Sequence, residues 1–419
     1  MNPDAPTRVH LALTQATGRT ASAFAVVPWW GQALLIWLVS RLWAAIIFVV
    51  VDRQSPDGPW GPTPLGYFNV LSIWDGQWYE RVHDGGYPSE LPRDATGSVQ
   101  ANAWAFYPVF PLVVRAITAV TGLPWAVAAS TVALLAGFAA AVLILKLFRE
   151  FLAPDPAVWA LAVVAFGPVS PVFQAAYAES LHLALLAAAL LLAVRGRVLW
   201  SVGLILVMCL TRPAGVPFAA ALGLTWLIHA VGSLRSHHAN GTWKAGAVLG
   251  VFNKWFWLAV WACACALVWP AFAWAVTGEA TAYMETETAW RGSSLVVFEP
   301  WFALGERFMG PYLGWLGVVV LVVGFALLIT TRTVRTTLPL IVWMWVACYA
   351  VYLLAFLHPQ SSTFRMLAPL FVLAAPLVAA SPARSYRITL IVVGALFQIV
   401  WVGYLWQWSP LPGGGDWPP

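Results

Sequence analysis

The sequence predicts an all-α polytopic membrane protein, and three observations carry that reading. Hydrophobic residues make up 61% of the chain and charged ones only 9%, with a mean hydropathy of +0.77, which excludes an ordinary soluble domain. Apolar runs long enough to cross a hydrocarbon core of about 30 Å, at about 1.5 Å per residue, recur from one end to the other. The 27 Trp residues gather near the ends of these runs, where amphipathic rings sit at the headgroup level. The expectation is a single integral membrane domain over 1–419 with about eleven transmembrane helices.

The net charge of +5 and pI near 9.1 do not indicate a nucleic-acid partner, because the basic residues stand singly or in pairs beside apolar runs, where they set topology. Cys209, Cys263, Cys265 and Cys348 all fall inside expected spans, which argues against a disulfide framework or a zinc knuckle. Residues 1–28 show no compact apolar segment with a small-residue cleavage site, so the first span is read as an uncleaved anchor.

Span 1 covers about 30–51. Arg8 and Arg19 precede it and place segment 1–29 in the cytoplasm. A long first outer loop follows at 52–122. Its part from 52 to 104 carries seven acidic residues and three Arg, and a loop of that length is usually functional. The stretch 106–120, with Arg115 inside it, suits a helix lying along the interface better than a crossing. Spans 2 to 7 are read at about 125–147, 157–173, 180–194, 199–210, 215–231 and 255–276, with span 5 short and ended by Thr211-Arg212-Pro213. A second acidic outer loop at 278–311 leads to spans 8 to 11 at about 312–329, 338–357, 366–380 and 388–406, which leaves the C-terminus outside. Thirteen of the 22 Lys and Arg fall in the inner segments, against three of the 17 acidic residues, so the positive-inside rule is met. No internal repeat is apparent.

Chemistry concentrates in 72–88, which places Asp75, Glu80, Arg81, His83 and Asp84 in a chain otherwise poor in charge. Asp75 stands between Trp74 and Gly76, with Trp78 and Tyr79 following at helical spacing. A carboxylate held beside aromatic faces at a bilayer surface can act as a base, and Asp75 equally suits a helix N-cap or a partner for Arg81.

An ionisable group at membrane depth costs roughly 2.5–3.5 kcal/mol on insertion scales, so each needs a partner or a task. Arg41 lies mid-span and is expected to pair with Glu179 or a lipid phosphate. Glu179 and His182 open span 4, Arg212 ends span 5, and His358 and Arg365 flank a polar turn that contains Gln360. All but Arg41 fall at outer span ends, on the side of Asp75, so they can converge on one outward-facing cavity. Such a group suits attack by a hydroxyl with departure of a lipid phosphate: Asp75 takes the proton, while Arg212 and Arg365, with His358 beside them, hold the phosphate. Capping of span 5 is an alternative role for Arg212. Tyr177 and Gln360 can orient sugar hydroxyls or bond to backbone. No Asp-x-Asp pair and no His cluster appears in the outer loops, so neither metal nor cofactor is expected, and Glu285-Thr-Glu287 is the nearest approach to a metal pair.

The motif Trp74-Asp75-Gly76-Gln77-Trp78-Tyr79, followed by Gly86-Tyr87, resembles the signature of bacterial relatives of the second GPI mannosyltransferase, the PIG-V-like family within the GT-C class of membrane glycosyltransferases. Further matches follow in the family's order: Phe106-Tyr107-Pro108 with Pro111-Leu112, Ala176-Tyr177-Ala178-Glu179-Ser180, Leu210-Thr211-Arg212-Pro213, and Phe364-Arg365-Met366. Each is weak alone, and together they run in register from span 1 to span 10. The resemblance implies a GT-C bundle, a polyprenyl-phosphate-mannose donor, inversion at the anomeric carbon without metal, and a catalytic Asp on the first outer loop. By position that residue is Asp75, with Glu179, Arg212 and Arg365 as family-like site residues and Trp74, Trp78 and Tyr79 beside the substrate. The chain departs from the family pattern at Val82-His83. The implied partners are the lipid donor, a glycolipid or lipid-linked glycan acceptor outside the plasma membrane, and membrane lipids. A multi-pass lipid or solute transporter is the alternative, and it would place charges near the midplane.

Overall fold

The computed structural model describes residues 26–240, 250–291, 296–408 and 419. Arg8, Arg19, Lys244, residues 292–295 of the second loop and the segment 409–418 lie outside the described residues. The architecture is helical throughout. Among the described residues no strand forms, only two isolated bridges, in the loops at Gly58–Gly61 and Arg93–Val99.

Among the described residues six helices are long and apolar enough to cross a membrane: α1 (Trp29–Gln54), α4 (Trp125–Phe148), α8 (Gly215–Ala239), α9 (Lys254–Thr277), α11 (Glu299–Thr330) and α13 (Arg384–Leu405). Between them run shorter apolar helices α5 (Pro154–Ala165), α6 (Glu179–Val194), α7 (Val198–Cys209) and α12 (Leu340–Phe356). The first loop carries α2 (Asp75–Gly85) and α3 (Val109–Thr121), and the second carries α10 (Ala282–Arg291). Side chains such as Leu42, Leu267, Val320 and Val400 are exposed on the outside of the long helices, as a lipid-facing surface requires.

Two expected spans are broken, and proline explains both. Span 3 begins as α5, stops at Ala165 ahead of Gly167-Pro168, and continues as a 3₁₀ turn over Ser170–Gln174. Span 10 is divided into Thr363–Met366, a 3₁₀ turn at Ala368–Leu373 and Ala374–Ala379, with Pro369 and Pro376 removing the N–H groups a continuous helix needs. Span 8 proves to be the later part of α11, whose earlier turns fold back at Gly310 (φ 77°) before Pro311. A Cβ at Gly314 would lie 2.2 Å from the carbonyl carbon of Gly305, so only glycine permits that approach. Helix α3, at 13 residues, is about 20 Å long and too short to cross. It buries Phe110 and Val114 against the bundle and leaves Leu112 and Val120 exposed.

Charged contacts tie together residues of the same end. At one end Arg195 donates to Glu150 (2.9 Å), Lys254 to the Gly196 carbonyl (3.2 Å) and Arg387 to Asp155 (2.8 Å). At the other, Arg93 of the first loop pairs with Glu279 of the second. The two loops are joined there by Trp290 Nε1 donating to the Asn102 carbonyl (3.1 Å) and by Asn102 Nδ2 donating to Thr286 Oγ1 (3.0 Å), and the first loop is held to α9 by the packing of Trp104 on Trp269.

Arg41 corrects one expectation, because its partners are not Glu179 but Ser170 and the Ala165 carbonyl. Its guanidinium is buried against the broken span 3, where it donates to the Ser170 carbonyl, to Ser170 Oγ (2.9 Å) and to the Ala165 carbonyl (3.2 Å). The last carbonyls of a helix have no intrahelical donor, and a cation there is favoured by the helix dipole. Arg41→Leu should therefore leave the Ser170 carbonyl without a donor, while Ser170 Oγ still donates to the Ala165 carbonyl (2.6 Å), and lower stability by about 1–3 kcal/mol. Thermal unfolding of the detergent-solubilised protein measures this, and an unchanged Tm would mean that the bonds are dispensable.

Candidate active site

The first loop is fixed before it reaches Asp75. The buried Asp52 carboxylate accepts from the backbone N–H groups of Leu65 (2.9 Å) and Gly66 (2.9 Å), which holds the returning chain against the end of α1. The chain then turns sharply at Trp74, which sits at φ 59° and ψ −121°, a conformation that costs a non-glycine residue energy and persists only when its surroundings enforce it. Those surroundings are aromatic: the Trp74 ring meets Trp60 at 4.6 Å and Trp408 at 5.9 Å between centroids. Asp75 then becomes the first residue of α2. The stretch that opens α6 is stitched to it, since Ala176 N–H donates to the Leu71 carbonyl (2.9 Å), Tyr177 hydroxyl to the Ile73 carbonyl (3.1 Å), and Asp75 N–H to the Tyr177 hydroxyl (3.3 Å).

Four charged side chains from four distant parts of the chain meet here. Arg365 donates through Nη2 to Asp75 Oδ2 and through Nη1 to Glu179 Oε1 (2.7 Å). Arg212 Nη1 reaches the same Glu179 oxygen at 2.6 Å, while its Nη2 meets the Met366 sulfur at 3.0 Å. The Arg365 guanidinium also lies 5.2 Å over the Tyr177 ring. Two carboxylates thus balance two guanidiniums. Burial of the Arg365 charge is offset by its pairing with the carboxylates of Asp75 and Glu179. In the first loop, burial raises the pKa of the Tyr79 hydroxyl, with Arg212 opposing.

This cluster forms one wall of a cavity of about 430 Å³. Of the residues expected from the sequence, Asp75, Tyr79, Arg212, His358, Gln360 and Arg365 line it. Tyr177 and Glu179 lie behind that wall as supports. Trp74 and Trp78 are placed elsewhere. Trp74 wedges the turn, and Trp78 stacks on Phe106 (5.8 Å) and meets Trp290 edge to face (4.9 Å), with Arg81 over its ring at 4.0 Å. Arg81 therefore does not pair with Asp75. His83 faces away from the cavity and braces α2 against α3, with its nitrogens 2.6 Å from Asp84 Oδ1 and 2.8 Å from Thr118 Oγ1. The pair Glu285 and Glu287 diverges. Glu285 accepts from Thr281 (2.6 Å) and faces Arg93, whereas Glu287 lines the cavity. Among the described residues no group of three or more His, Cys, Asp or Glu side chains is placed to hold a metal.

The sequence reading missed the opposite wall, which comes from α12. Tyr349, Tyr352 and Phe356 project into the cavity at helical spacing, and a stripe of aromatics with polar tips in an apolar helix was the available signal. His182 had been grouped with the polar span ends, and it too lines the cavity, along with Trp290 of the second loop.

Comparison with known proteins assigns no family. No protein-family model matches the chain, and neither does any curated protein. Among solved structures it is similar to an Archaeoglobus fulgidus oligosaccharyltransferase crystallised with zinc and sulfate, at a TM-score of 0.33 and 14% identity, over 87% of this chain and 49% of that one. The chain spans about half the length of that protein, and a likeness at this score decides nothing about activity.

Glu179 holds two guanidiniums with one oxygen, Arg365 buried and Arg212 15% exposed, so its loss leaves more uncompensated charge than the loss of Asp75, whose side chain is 20% exposed. Glu179→Gln is expected to destabilise the protein by about 3 kcal/mol or more and to lower Tm further than Asp75→Asn. Equal Tm values for the two variants would contradict that order.

Proposed function

We propose that this chain is an inverting GT-C-type mannosyltransferase of the PIG-V-like kind. It would take mannose from a polyprenyl-phosphate-mannose donor and deliver it to a glycolipid or lipid-linked glycan acceptor at the outer face of the plasma membrane. The observation that carries the proposal is convergence. Segments read as separate motifs, up to 290 positions apart, supply Asp75, Tyr79, Phe106, Arg212 and Arg365 to a single cavity. Its volume lies within the range of about 300–1,000 Å³ that accommodates small ligands.

The chemistry follows from the pairing. Asp75 takes the proton of the acceptor hydroxyl as that oxygen bonds to the anomeric carbon from the face opposite the phosphate. The bond from that carbon to the phosphate oxygen breaks, and the electron pair leaves with the polyprenyl phosphate, whose charge Arg365 and Arg212 receive. Asp75 Oδ2 accepts from Arg365 in the structure. A donor phosphate that draws Arg365 to itself leaves that oxygen open to the acceptor hydroxyl. One base and a stabilised leaving group are enough, so the proposal invokes no metal. The first and second outer loops would cover the sugar, and the apolar side of α12 would accompany the lipid chain. A transporter would use a mid-bundle charge, but Arg41 is bonded to the Ala165 and Ser170 carbonyls.

Membranes containing the protein, given labelled polyprenyl-phosphate-mannose and extracted for lipid products, test this reading. Asp75→Asn should reduce transfer by about 10²–10⁴-fold with the protein still folded, and near-normal transfer would remove Asp75 from the role of base. Arg212→Lys and Arg365→Lys keep the charge but lose the planar fork, so the donor KM should rise about tenfold. Unchanged donor kinetics in both would count against the phosphate grip.

A further inference from the structure

His182 is the buried polar side chain of the cavity wall to which the proposed reaction gives no task. It lies three residues after Glu179, on the same face of α6, is 3% exposed, and lines the cavity near Arg212. Other polar groups of the wall are engaged within the protein. Thr211 donates to the Val207 carbonyl (2.7 Å), Tyr349 to the Met366 carbonyl (2.8 Å), and Tyr107 shares a hydrogen bond with Tyr283 (3.0 Å). The His182 ring forms no hydrogen bond among the described residues, and its Nδ1 is sealed from solvent without a partner. A buried polar side chain without a partner calls for an explanation, and a ligand is one.

The two nitrogens have different situations. With Nδ1 sealed, Nε2 is the nitrogen left to the cavity. A buried N–H without an acceptor is rarer and costlier than a lone pair without a donor, so the proton belongs on Nε2, where it can point into the cavity. Arg212 offers a second open donor there, because its Nη2 meets only the Met366 thioether, a weak acceptor that a stronger one would displace. Two neighbouring donors with no good acceptor call for a group that only accepts. Sugar hydroxyls carry protons of their own, whereas a phosphoryl group offers acceptor oxygens and a charge to match the guanidinium.

We infer that His182 Nε2–H and Arg212 together hold a phosphoryl oxygen of the lipid-phosphate substrate, which makes His182 a substrate-binding residue. The inference rests on the reading of this cavity as the phosphate site. It is tested by calorimetric titration of the purified full-length protein in detergent with a short-chain isoprenyl phosphate and with the matching isoprenol, Tm being followed in each variant. His182→Leu keeps a side chain of similar bulk there without a donor and should weaken phosphate binding by about tenfold or more, leaving isoprenol binding unchanged. His182→Gln, whose amide can place an N–H near the position of Nε2, should restore most of that affinity. If His182→Leu binds the phosphate as well as the wild type, or loses phosphate and alcohol equally, His182 has no part in phosphate recognition and the cavity reading survives without it. If the wild type itself does not distinguish phosphate from alcohol, the inference and the transferase reading both fall.

Discussion

The Oε1 atom of Glu179 accepts from Arg365 and stands 2.6 Å from Arg212 Nη1, so one oxygen pairs with two guanidiniums, and the arrangement of this end of the bundle depends on that contact. A buried cation is tolerated when it is paired and hydrogen-bonded, and two neighbouring ones would otherwise repel each other. Glu179 can serve both because it opens α6 while each arginine sits where a helix has been interrupted: Arg212 between α7 and α8, and Arg365 in the turn that replaces a continuous tenth span. The second terminal nitrogen of Arg365 goes to Asp75, the most exposed side chain of the group. Pairing therefore determines which carboxylate faces a substrate and which stays behind as a support.

Much of this was legible in the chain, for identifiable reasons. Six expected spans became long helices because their apolar runs are long enough to cross a bilayer as one helix, and Arg212, Arg365 and Asp75 stood out because charge is expensive among such neighbours. The broken spans were misread as continuous because hydropathy ignores Pro168, Pro369 and Pro376, although those residues were visible. The partner of Arg41 was out of reach, since it is a set of backbone carbonyls exposed by one of those breaks. Trp74 and Trp78 share a motif and a residue type, yet one wedges a strained turn and the other stacks between the loops; only packing separates those roles. The contact between Asp75 and Arg365 crosses 290 positions, a pairing that no spacing rule reaches.

The same network gives the proposed chemistry its order. Arg365 is shared between Glu179 and the proposed base Asp75, so an anion entering the cavity would compete with Asp75 for a donor while Glu179 kept the guanidinium in place. Binding of a phosphate and release of the base then become one exchange of partners. The rigid surroundings, with Tyr177 bonded to the backbone at Ile73 and Asp75 and the turn held at Trp74, let that exchange happen without moving the helices.

The most direct measurement is an experimental structure of the protein bound to a non-transferable phosphonate analogue of polyprenyl-phosphate-mannose. The account predicts phosphonate oxygens within hydrogen-bonding distance of Arg365 and Arg212, with Asp75 released from Arg365 and facing the anomeric carbon. An analogue bound away from these residues, or seated beside an intact Asp75–Arg365 pair, would contradict it.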